Sequence, residues 1–222
     1  MPWGLKRPGF LERLSDAEKK RLMQICPPRV AAKGVHIVRQ GDPADALFIV
    51  LKGTVKLERA TSKGTQVVAL AGPGDLFGDR FLSEGAVFES DAVAAGDSVV
   101  CPIDREQLEQ VARELPRVAL VIAGVLAERL AELEARLEWA LLPAAQKLAR
   151  AFLDLAQRFG EAESEWVRLE PPLTHEEIAG YAGLTRVMVT QLISFFKERG
   201  ILEGGRGHYR LLPAALEALC TP

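Results

Sequence analysis

Between Leu173 and Leu202 the chain reads as two short helices around a glycine, the second with one apolar face and one bare polar face. Thr174 can cap the first helix, with Glu177 at the spacing of a capping box. Gly183 falls in the turn, Thr185 can cap the second helix, and Gly200 can end it. Val189, Leu192, Ile193 and Phe196 recur at helical spacing and face inward. Opposite them stand Arg186, Val187, Thr190, Gln191 and Ser194. Arginine can take guanine, glutamine adenine, and threonine or valine a thymine methyl. The arrangement predicts a helix-turn-helix whose polar face reads DNA. Thr174 and Thr185 join the candidates at the two helix starts, and Lys197 near the end of the second. Any two packed helices share such a pattern, so the adjoining segment carries weight: residues 200–211 read as strand, glycine turn and strand. A small hairpin there is a wing that sets Arg206, His208 or Arg210 against phosphate.

The net charge of −2 argues against a general polyanion binder, but the distribution counts for more. From 184 to 210 the cations Arg186, Lys197, Arg199, Arg206 and Arg210 outnumber Glu198 and Glu203. A basic stripe on a mildly acidic body suits a protein that meets DNA along one edge. The opening MPWGLKRPGF lacks an apolar signal core, and no apolar run approaches a membrane span. Three scattered cysteines, Cys26, Cys101 and Cys220, make neither a disulfide framework nor a metal knuckle. The expected location is the cytoplasm, with no membrane partner.

Upstream, Asp16–Cys26 reads as a helix capped by Ser15. From Gly34 to about Asp104 short apolar runs alternate with glycine breaks: 35–38, 46–51, 55–58, 66–70 (after the turn 62–65), 92–95 and 98–101. Their number and spacing predict a β-roll or jelly roll. From Arg105 the period turns helical, and 115–142 is one long helix. Leu126, Leu130, Leu133, Leu137 and Ala140 alternate by four and three, a short seam for a second copy. Pro143 breaks the chain before a further helix, 144–159. A polar turn at 160–165 and a strand at 166–169 precede the first motif helix. The expected fold is thus α+β: a β-roll (1–114), a dimerisation helix (115–142) and a winged helix-turn-helix (143–222).

This order resembles the CRP/FNR family of bacterial transcription regulators. The motifs that carry it are QGDPADALFIVLKGTV at 40–55, PGDLFG at 73–78 and the helix-turn-helix. The resemblance implies a homodimer on palindromic double-stranded DNA that recruits or blocks RNA polymerase, with an effector in the roll. Members that bind cyclic AMP resemble Phe-Gly-Glu-Leu followed by Arg-Ser or Arg-Thr. Here the first part is Gly78, Asp79 and Arg80 after Phe77, and the second is Glu89 and Ser90. Glu89 stands where the phosphate-holding arginine belongs, a like-charge clash with a phosphate. The expectation is a degenerate pocket, an unknown or absent small-molecule effector, and an activator independent of cyclic AMP. Many members also show Arg-Glu-Thr-Val-x-Arg in the reading helix. Arg186 is kept, Val187 replaces the glutamate and Gln191 the last arginine, so the half-site should depart from TGTGA while keeping one G·C pair.

No cofactor is expected. An iron–sulfur sensor needs about four cysteines, and His36, the candidate haem ligand, lies on a predicted strand. A redox switch at Cys26 or Cys101 lacks a cationic neighbour in sequence. Enzyme motifs are missing, and Asp42, Asp45 and Asp75 read as turn caps. The competing classes are a cyclic-nucleotide-dependent regulator and a ligand-sensing module whose winged helix binds protein.

Overall fold

The glycine-broken runs pair into two four-stranded antiparallel sheets. In the computed structural model, which describes residues 9–61, 64–139 and 141–220, the strands are β1 (Arg29–Ala31), β2 (His36–Val38), β3 (Ala46–Lys52), β4 (Val55–Thr61), β5 (Gly64–Ala71), β6 (Leu76–Phe77), β7 (Asp91–Ala94) and β8 (Ser98–Asp104). One sheet runs β1-β8-β3-β6 and the other β2-β7-β4-β5. β3 explains its own unbroken apolar run. Leu47 and Ile49 pack on one face, with Phe10, Leu22, Cys101 and Ile103. Ala46, Phe48 and Val50 pack on the other, with Val55, Phe77 and Phe88 inside the roll. A strand covered on both faces has no polar alternate positions.

α1 (Asp16–Ile25) starts at a full Ser15/Glu18 capping box, as the sequence predicted. The pair of hydrogen bonds holds the Glu18 carboxyl down at about 2, with Arg117 adding to the effect. α2 (Arg105–Glu114) and α3 (Pro116–Trp139) follow β8. Packing divides the chain into two compact units, one ending at Leu133 and the other beginning at Glu134.

In the second unit α4 (Ala144–Phe159) buries Leu148, Phe152 and Leu155 along one stripe. β9 (Gly160–Glu163) and β10 (Trp166–Leu169) form a hairpin. The expected polar turn at 160–165 is therefore mostly strand, with the reversal confined to Ser164 and Glu165. α5 (His175–Ala182), α6 (Arg186–Glu198), β11 (Leu202–Gly205), β12 (His208–Leu211) and α7 (Pro213–Cys220) complete it. The sheet order is β11-β12-β10-β9. The two short strands β1 and β6 and helix α7 were not foreseen from sequence.

Candidate nucleic-acid interface

Local sequence builds the two-helix unit. The Thr174 hydroxyl accepts the Glu177 amide at 3.2 Å, and the Glu177 carboxylate accepts the Thr174 amide at 2.7 Å. Gly183, at φ 64°, turns the chain through the left-handed region that a side chain would resist. The Leu184 amide then closes on the Ala179 carbonyl at 2.9 Å, a Schellman stop. Thr185 caps α6 through the Met188 amide at 3.3 Å, and the Ile201 amide closes its end on the Phe196 carbonyl at 2.9 Å. Val189, Ile193 and Phe196 are buried, while Leu192 is half-buried.

On the opposite face Arg186, Val187, Thr190, Gln191 and Ser194 are all exposed, Val187 at 66%. Met188 is also exposed, at 38%, and was not singled out from sequence. The hydroxyls are less free than the sequence suggests. Thr190 donates to the Arg186 carbonyl at 2.9 Å and Ser194 to the Thr190 carbonyl at 3.2 Å. With the hydroxyl so engaged, the methyl is the part of Thr190 left without a polar partner.

The wing is β11 and β12 joined by Arg206 and Gly207, with Gly205 opposite His208. Both turn residues have positive φ, 54° and 91°, the signature of a type I′ hairpin. Arg206 and His208 are exposed. Arg210 stands differently: its guanidinium reaches Glu163 at 3.0 Å and Glu203 at 2.8 Å and lies over the Trp166 ring. It is part of an ion-pair network on the sheet, together with Arg168, Glu161 and Glu170, not an open phosphate donor. Lys197 curls over the Tyr209 ring at 5.9 Å, and Arg199 covers Phe195 at 3.7 Å.

His175 also belongs to this interface, although its sequence position gave no signal. Its Nδ1 lies 2.8 Å from the Thr190 hydroxyl and its ring stacks on Tyr209. Burial, then the charges of Arg186 and Lys197, hold its imidazole below the ordinary 6.5.

The roll cassette is built on Gly78, at φ 82°, where an added Cβ would meet the Ala46 carbonyl at 2.7 Å and the rings of Phe48 and Phe88. Phe48 stacks on Phe77 with centroids 4.8 Å apart, so aromatic rings fill the roll interior beside it. Asp79 faces Arg129 at 3.3 Å. Glu89 is gripped from both sides: Arg80 pairs with one carboxylate oxygen and Arg59, from β4, with the other at 2.9 Å. Ser90 is half-buried next to it. Arg80 therefore matches Glu89 in place of presenting itself to an anion.

On α3, Leu126 packs in part on the β-roll core, so this member of the seam belongs to its own chain. Leu130, Leu133 and Leu137 are 58%, 51% and 74% exposed. Ala140 lies outside the described residues, as do Ser62 and Lys63 of the expected turn. Cys26 and Cys101, far apart in sequence, meet in the core, where the Cys101 thiol donates to the Cys26 carbonyl at 2.6 Å. The neighbouring Cys26 and burial push the Cys101 thiol far up, which suppresses the reactive thiolate. Asp75 caps its turn by accepting the Gly72 amide at 2.8 Å. Among the described residues no helix is long and apolar enough to cross a membrane.

Comparison with known proteins gives the same division. Residues 28–114 match the family described as Cyclic nucleotide-binding domain, and 146–219 that of the Crp-like helix-turn-helix domain. The chain is 33% identical over 190 residues to the Cyclic AMP receptor protein of Thermus thermophilus, covering 85% of each protein. It is 30% identical over 187 residues to the Global nitrogen regulator of a Synechocystis strain, covering 81% of this chain and 82% of that one. A solved CRP/FNR-family transcriptional regulator from Thermus thermophilus superposes with a TM-score of 0.68 at 28% identity, covering 87% of this chain and 97% of that one.

Proposed function

We propose, for a chain that belongs to the CRP/FNR family and is a DNA-binding transcription regulator, that it works as a homodimeric activator without cyclic AMP. The observation that carries the last point is Glu89, which stands where a nucleotide phosphate would need a cation and holds both nearby arginines, Arg59 and Arg80. A phosphate entering there would meet a carboxylate and would have to break two ion pairs. The dimer reading is supported by Leu130, Leu133 and Leu137, three leucines at helical spacing that the single chain leaves exposed. Two copies joined there would offer paired reading helices to a palindromic site. Recruitment of RNA polymerase is the mode of activation that the family implies, and a cytoplasmic location follows from work on DNA.

In this reading Arg186 takes a guanine, Gln191 an adenine, and the methyl groups of Val187 and Thr190 a thymine. Arg206 and His208 hold phosphates, while Arg210 serves the sheet. A second reading, regulation by a cyclic nucleotide, is favoured by the matched domain and by the name of the Thermus thermophilus relative.

The deciding experiment is the affinity of purified protein for its own upstream DNA, with and without cyclic AMP, at one salt concentration. Tight binding that ignores the nucleotide is expected; binding that appears only with it would overturn the first reading. For the assembly, Leu130→Glu with Leu137→Glu should sediment as a monomer, and an intact dimer would place the interface elsewhere.

A further inference from the structure

A depression between the start of α5 and the wing turn is lined by Thr174, His175, Glu176, Arg186, Arg206 and Tyr209, among others. Thr174 caps the Glu177 amide, which leaves the amides of His175 and Glu176, at the positive end of the helix, without a bond among the described residues. No carboxylate pairs with Arg186 or Arg206 among those residues either. The independent sign of a missing ligand is Tyr209. Tyr209 is 1% exposed, and its hydroxyl proton has no acceptor among the described residues. The Gly207 amide beside it is itself a donor and does not take that proton. A buried donor left unmade is destabilising, and an anion in the depression would supply the acceptor.

His175 adds a chemical condition. The Thr190 hydroxyl gives its proton to the Arg186 carbonyl, so toward His175 Nδ1, 2.8 Å away, it can only accept. The ring proton therefore sits on Nδ1, and neutral His175 carries a bare lone pair on Nε2. A lone pair repels an anion, whereas Nε2–H attracts one.

We propose, resting on the DNA-binding reading, that this depression seats one backbone phosphate and that His175 takes up a proton from solvent at Nε2 as the phosphate arrives. Burial and the charges of Arg186 and Lys197 of α6 lower its titration, and Arg206 of the wing, Tyr209 of β12 and the carboxylate of Glu176 on its own helix line the same depression. In the free protein burial and the α6 cations favour the neutral ring. A phosphate offsets those cations, so the bound ring protonates at a higher pH than the free one. Binding then strengthens as pH falls through the bound value and levels off below the free one. The gain is at most about tenfold per pH unit for each protomer. Stability of the free protein runs the other way. The folded pKa lies below 6.5, so this group's contribution is present above 6.5 and is lost as pH falls toward the folded value.

The test uses the full chain and a duplex that it selects from random DNA, at fixed salt, from about pH 8 down to about pH 5.5, the range of histidine titration. Wild type should gain affinity as pH falls. His175→Gln should lose that gain, and His36→Gln, on β2 of the roll, should keep it. Tyr209→Phe should bind severalfold more weakly with the slope unchanged. Ring NMR of wild type should show the His175 titration moving up when DNA is added, which decides the matter even if a variant fails to fold. Equal slopes for wild type and His175→Gln, or an unmoved titration in a formed complex, would overturn the proton coupling and leave DNA binding standing. A slope that is intact with Tyr209→Phe at full affinity would remove the hydroxyl from the seat. Failure to bind DNA at every pH would sink both readings.

Discussion

The roll cassette and the reading head both concentrate arginine, but they use it in opposite ways. In the cassette each guanidinium is matched within the chain: Arg59 and Arg80 to Glu89, and Arg129 to Asp79. In the reading head Arg186 and Arg206 are exposed and meet no carboxylate among the described residues. Arg210 and Arg168 show that this is not a property of the whole unit, since a few residues away the sheet pairs its charges fully. Counting basic residues along a sequence therefore does not say where an anion is received. An arginine that already holds a carboxylate must break that pair first, whereas an open one loses only rotamer freedom and water.

Three substitutions would break or sharpen this contrast. The largest effect is expected from Arg186→Ala, which should cost about 1–3 kcal/mol of specific binding and relax one base position, with thermal stability unchanged. Competition among duplexes that differ at single bases measures it, and undiminished specificity would mean that another side chain holds the guanine. Arg206→Ala should act on all sequences alike. The slope of log affinity against log salt should fall by about 0.9 for each phosphate that is no longer neutralised. An unchanged slope would mean that the wing tip does not touch the DNA backbone. The smallest effect is on stability in Glu89→Gln. Its ion pairs involve side chains 44–56% exposed, so the loss should stay below about 1 kcal/mol in urea unfolding. The same change frees Arg59 and Arg80, and calorimetry should then detect cyclic AMP binding that wild type lacks. No gain would mean that the roll is closed by its aromatic filling and not by charge.

Where the sequence was legible, the cause was local. Ser15 with Glu18, Thr174 with Glu177, and the stops at Gly183 and Gly200 each act within four or five residues, and their caps appear as predicted. The roll strands were legible because burial on alternate or on both faces leaves a pattern along one segment. β1 and β6 have only three and two residues, too few for any period to emerge. α7 is apolar nearly throughout, so it carries no face to recognise.

The site was harder because its chemistry crosses the chain. Arg59 lies 30 residues from Glu89, Arg210 lies 47 from Glu163, and His175 lies 15 from Thr190. Nothing in the spacing of those residues announces that they meet. The seam on α3 was read correctly as apolar, but only the fold shows that Leu126 is turned to its own core while Leu130, Leu133 and Leu137 are not.

The backbone at Arg206 sets two selections against each other. Holding a non-glycine residue at φ 54° costs of order 1 kcal/mol or more, and glycine there would relieve it. On the proposed phosphate contact, a variant chosen only for heat resistance would drift toward Arg206→Gly and lose its grip on DNA as it gained in melting temperature. The wing tip is a place where a hardier protein would be a poorer regulator.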